Sequence, residues 1–180
     1  MTPDTTARYD RGTIALHWLT AAMILLQWGG ALLIQLEQNH GLRMIYWDVH
    51  FGLGLALFAV IALRLWWRRS GGRKLPPLGS GPMEAAARAV HGLLYLLVLW
   101  LIGLGITIIL LRGWPLAGLF TIAPIAPGYH ALSTTLIGVH TWSAHLLMAV
   151  ALGHALVALF HHLILKDGAL LRMAGAGPRA

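Results

Sequence analysis

Residues 133–165, STTLIGVHTWSAHLLMAVALGHALVALFHHLIL, hold no lysine, arginine, aspartate or glutamate. A helix crosses the hydrocarbon core of a bilayer with about 20 apolar residues, so this stretch spans it with turns to spare. It also carries five histidines, His140, His145, His154, His161 and His162. An ionisable side chain inside a span is costly, and its default reading is functional. One stretch therefore points both to a membrane helix and to chemistry within it.

Reading outward, the charge-free gap begins at Arg112 and ends at Lys166. Pro115, Gly118, Pro124, Pro127 and Gly128 break its first part, so residues 113–130 read as an aromatic-bearing segment at the membrane interface. Two further charge-free gaps run from Arg11 to Glu37 and from Arg88 to Arg112, and an apolar run from Val49 continues past Arg64 to Trp67. The expected fold is all-α: an integral membrane four-helix bundle, with helices at about 13–36, 48–68, 89–111 and 133–165, in a single transmembrane domain over residues 1–180. Composition agrees. The chain is 58% hydrophobic and 11% charged, against about 45–50% and 25% for soluble domains. No cysteine is present, which excludes disulfides, iron–sulfur clusters and thiol nucleophiles.

The net charge of +7 needs no nucleic acid to explain it, because little soluble surface remains to form a basic groove. Arg8, Arg11, Arg64, Arg68, Arg69, Arg73, Lys74, Arg88, Lys166, Arg172 and Arg179 fall on or near one side, and only Arg43 and Arg112 on the other. Positive residues stay cytoplasmic, so both termini and the 69–88 loop are expected in the cytoplasm. The first apolar run is too long for a cleavable signal and reads as a permanent anchor.

His140 and His154 are 14 residues apart, almost four turns, so they share a face about 21 Å apart in depth. One metal cannot take both. His17 at the inner start of the first helix lies level with His154, and His50 at the outer start of the second lies level with His140. Two bis-histidine sites stacked across the bilayer suit a metal that imidazole binds, such as haem iron, copper, zinc or nickel. Stacked sites of this kind carry electrons across a membrane. Arg64, 14 residues after His50, either offers a haem propionate a partner or snorkels to the cytoplasmic surface. His91 and His161 read as interfacial polar residues or as part of a small-molecule site beside the inner centre. His145 is offset by about 140° from His140 and faces elsewhere.

With these residues in place, the sequence resembles the bacterial diheme cytochrome b561 family. The matching stretches are RYDRGTIALHW (8–18), DVHFGLG (48–54), ALRLWWR (62–68), AVHGLLYLL (89–97), GVHTW (138–142), ALGHALVALFHH (151–162) and KDGALLRM (166–173). They cover nearly the whole chain. The resemblance implies two haem b groups per chain, with His17 and His154 on the inner iron and His50 and His140 on the outer. It further implies an oxidoreductase of the superoxide oxidase kind, passing electrons from superoxide or another periplasmic donor to ubiquinone. His161, and His91 as a proton relay, fall at the quinone. Against an anionic donor, the outer segments balance Arg43 and Arg112 with Glu37 and Asp48. Two alternatives follow: an electron-relay subunit for a partner dehydrogenase or hydrogenase, and a haem-free metal transporter, which calls for one central site instead of two pairs.

Overall fold

A computed structural model describes residues 8–78, 81–116, 120–126 and 128–174. Gly118 and Pro127, read as helix breakers, and Arg179 of the basic set lie outside them. Four long helices run antiparallel: α1 (Arg11–Leu36), α2 (His40–Ser70), α3 (Pro82–Arg112) and α4 (His130–Phe160). Each is long and apolar enough to cross a membrane. α1 packs along α2 and α3 along α4, with a lighter α2–α3 contact. The chain is thus a four-helix membrane bundle.

Local chemistry sets the ends. Asp10 caps α1 by accepting from Thr13 N at 2.9 Å and Thr13 Oγ1 at 2.6 Å, and Asn39 caps α2 by accepting from Leu42 N at 3.1 Å. α2 starts at His40, well before the expected 48, because a charged residue outside the hydrocarbon does not interrupt a capped helix. α3 likewise starts at Pro82 instead of about 89. Pro82 fills the first helical position, where its missing N–H costs nothing, and Glu84 pairs with Arg88 one turn on.

Between α3 and α4 the structure has a short hairpin, β1 (Trp114–Leu116) antiparallel to β2 (Phe120–Ile122). This pairing satisfies backbone groups that Pro115 would orphan in a helix. Gly113 makes the turn at φ 68°, and a Cβ there would lie 2.7 Å from the Ile122 carbonyl oxygen.

The buried core is small and central: Met23, Leu57, Ile61, Leu97, Val98 and Leu147. Around it Leu25, Leu26, Phe58, Leu96, Leu152 and Val157 face outward, an apolar exterior that only lipid covers well. The end of the bundle bearing both termini is laced shut. The Asp10 carboxylate also accepts from Trp67 Nε1 (3.0 Å) and Arg73 N (2.9 Å). Trp18 Nε1 donates to the Met173 carbonyl (2.8 Å) and the buried Arg172 to that of Pro76 (2.6 Å).

Candidate functional site

The antiparallel arrangement brings α1 and α4 together at the terminal end, and α2 and α4 at the hairpin end. His17 and His154 face each other with ring centroids 6.5 Å apart, and His50 and His140 with centroids 6.3 Å apart. An imidazole nitrogen binds a first-row metal at about 2.0–2.1 Å and the ring centre lies about 1.1 Å behind it, so one ion between two imidazoles sets their centroids about 6.3 Å apart. Both pairs stand at that spacing. Nδ1 of His50 and of His140 is buried without a hydrogen-bond partner, and a buried polar atom left so calls for an explanation. Among the described residues no three His, Asp or Glu side chains converge as a metal cluster. A paired-imidazole donor set suits a metal that brings its remaining ligands with it, as haem iron does. The residues fit that group.

The hairpin-end pair is walled by small and aromatic residues. A cavity of about 530 Å³ beside His50 is lined by Gly29, Gly30, Gln27 and Tyr46 among apolar neighbours. Gln27 Nε2 donates to the His50 carbonyl at 3.0 Å. Trp47 stacks on Phe51, and Trp114 meets Phe51 edge-on at 5.0 Å while donating to Asp48 Oδ1 at 3.1 Å. The two basic residues of this end lie apart. Arg43 lines a cavity of about 330 Å³ with Gln35, His40 and Trp47; Arg112 donates to Ser133 Oγ and Thr134 Oγ1.

The terminal-end pair is more polar. Arg64 does not turn to the surface: its Nη2 is 3.0 Å from His17 Nδ1 and its guanidinium lies 5.3 Å from the Tyr95 ring centre. His91 stands 5.1 Å from the His154 ring and donates from Nδ1 to the Ala87 carbonyl at 2.7 Å. His161 lies apart from the pair, where its Nδ1 meets Asp167 Oδ2 at 2.5 Å. Burial acts to raise the Asp167 pKa, but hydrogen bonds from His161 and Ala169 N outweigh it and keep the carboxyl below its usual value.

The sequence of the family described as prokaryotic cytochrome b561 matches residues 8–176. The chain belongs to this family. It is thus a multi-pass membrane cytochrome of a haem b-binding, electron-transporting family. Cytochrome b562 of Cereibacter sphaeroides is 31% identical over 170 residues, covering 92% of this chain and 94% of its own. The probable superoxide oxidase CybB of Yersinia pestis is 31% identical over 172 residues (92% and 95%). Cytochrome b561 homolog 2 of Escherichia coli K12 is 30% identical over 177 residues (96% and 94%).

Three partners in this b561 chain escape a reading of the sequence. Asp167 follows the end of α4 in a turn, with no periodicity to tie it to His161. Tyr95 is one turn beyond His91, a spacing that offers Arg64 a ring. Trp28 Nε1 donates to His145 Nδ1 at 3.1 Å, which accounts for a histidine that joins neither pair.

Proposed function

We propose that this b561-family chain is a di-haem b oxidoreductase of the bacterial inner membrane, with both termini cytoplasmic and one transmembrane domain over its length. It carries electrons from superoxide or another periplasmic donor to ubiquinone. His17 and His154 hold the inner haem, and His50 and His140 the outer. The observation that carries this reading is the pair of opposed imidazoles, each at the spacing of one ion, at both ends of α4. Each haem, held by its two histidines, would supply a one-electron iron centre.

The chain's own residues do the rest. Arg64, beside His17, offers its guanidinium to a propionate, a charge-assisted and geometrically specific contact. Trp47, Phe51 and Trp114 exclude water from His50. His91 stands beside the inner pair and His161 further toward the terminal end; a quinone taking up electrons there needs protons, and imidazole is the side chain that exchanges them near neutral pH. The name of the Yersinia pestis relative supports superoxide as the donor.

The test is a reduced-minus-oxidised visible spectrum of the purified chain with haem counted, followed by superoxide decay with and without added ubiquinone. Two low-spin b haems per chain and quinone-dependent decay are expected. A folded preparation with no haem would overturn the reading. Two haems with no superoxide consumption would move the donor to another periplasmic reductant.

A further inference from the structure

The regular α-helix of α4 gives way at His161 to a single π-turn, His161–Leu165, which ends on Lys166 at φ 53°. Lone π-turns collect at functional sites, and a lysine holds a left-handed φ only where its surroundings require it. Here the reversal folds the next residue back on the turn. Asp167 N lies 3.4 Å from the His161 carbonyl oxygen. The Asp167 carboxylate is held at both oxygens, Oδ2 on His161 Nδ1 at 2.5 Å and Oδ1 accepting from Ala169 N at 2.9 Å. The His161 side chain is 18% exposed. It falls seven residues after His154, on the same helix face and about 10 Å further toward the terminal end.

A carboxylate accepts only, so Nδ1 of His161 carries its hydrogen and Nε2 is the nitrogen left for a ligand. We propose that Asp167 is a positioning residue: by holding the Nδ1 hydrogen it fixes the His161 ring so that Nε2–H delivers a proton to a carbonyl oxygen of the quinone. The inference rests on the reading of His161 as a quinone-site residue. The balance is quinone plus two electrons and two protons to hydroquinone. The electrons come from the periplasmic donor, one at a time. With each electron the N–H bond at Nε2 breaks and an O–H bond forms on the quinone, after which cytoplasmic water reprotonates Nε2. Asp167 stays ionised throughout and steadies the imidazolium, as a carboxylate does for a catalytic histidine elsewhere.

The experiment is stopped-flow reoxidation of the reduced, haem-loaded full chain by a short-chain ubiquinone, with ferricyanide as a parallel acceptor that takes an electron and needs no proton. General acid assistance is worth roughly a hundredfold or more, so D167N should slow quinone reoxidation at saturating quinone at least ~10-fold. Its KM for quinone and its ferricyanide rate should hold, and D167E should recover most of the loss. The double variant H161Q/D167N should be no slower than H161Q alone. Normal quinone reoxidation in D167N while H161Q is slow would overturn the role of Asp167 and leave His161 at the quinone. Normal quinone reoxidation in H161Q would instead overturn the quinone reading itself. Equal slowing with both acceptors, or loss of the haem spectrum in D167N, would make Asp167 a structural residue and end the inference.

Discussion

Replacing His140 with alanine should remove one haem and leave the other. His140 and His154 stand 14 residues apart on α4, which at 1.5 Å per residue is about 21 Å. Sites separated by more than about 10 Å without shared partners behave additively, so the inner pair should not feel the change. Loss of one imidazole leaves a ring on only one side of the 6.3 Å centroid gap. The reduced-minus-oxidised amplitude should fall to about half, and haem per chain from about two to one, on that additive footing. The pairing itself is tested by doubles. Members of one pair act as a unit, so H50A/H140A should look like either single variant and keep one haem. H50A/H154A should keep none. One haem retained in H50A/H154A, or none in H50A/H140A, with the helical content of the wild type, would refute the pairing.

Other perturbations read different parts of the molecule. Arg64→Gln should lower the potential of the inner centre, because a cation favours the reduced state; a unit charge about 7 Å away at an effective dielectric of about 20 contributes about 2 kcal/mol, close to 100 mV for one electron, and a spectroelectrochemical titration resolves it. Burial acts to raise the Asp10 pKa, but hydrogen bonds from Thr13, Arg73 and Trp67 outweigh it and hold the carboxyl well below its ordinary 3.8. Asp10 therefore adds stability at pH values above that ordinary value, and the contribution fades as pH falls below it. The gap in Tm between wild type and D10N in detergent should narrow on acidification below about pH 4. Gly113→Ala should destabilise by about 1–3 kcal/mol from its backbone conformation alone, and further from the clash at 2.7 Å with the Ile122 carbonyl, as read by denaturant titration.

Much of this was open to inspection in the amino-acid order. Three of the four spans follow from where charge is absent and the second from an apolar run that continues past Arg64, because bilayer thickness sets a minimum length. The depth match of His17 with His154 and of His50 with His140 follows from a rise of 1.5 Å per residue, and the structure brings those rings together. Other features depend on side chains that meet only after the chain reverses. Trp114 finds Asp48 across 66 positions because of a hairpin that composition marked merely as non-helical. Arg64 had two destinations open to it, and its contacts with Tyr95 and His17 turn it away from the surface. Asp167 reaches His161 through one left-handed lysine, a conformation that lysine gives no reason to expect.

The buried cluster of Met23, Leu57, Ile61, Leu97, Val98 and Leu147 occupies the middle of the bundle, between the levels of the two histidine pairs. Thr20, the buried polar side chain nearest it in sequence on α1, spends its hydroxyl on the Leu16 carbonyl. Water and hydrated ions have no wire of hydroxyls or carboxylates through such a plug, whereas an electron tunnels through hydrocarbon without needing one. A charge moved across the membrane exchanges about 2.3 kcal/mol with each 100 mV of potential. If the chain carries electrons across the membrane as proposed, a greasy waist that gives protons no such path keeps that work from leaking away as heat.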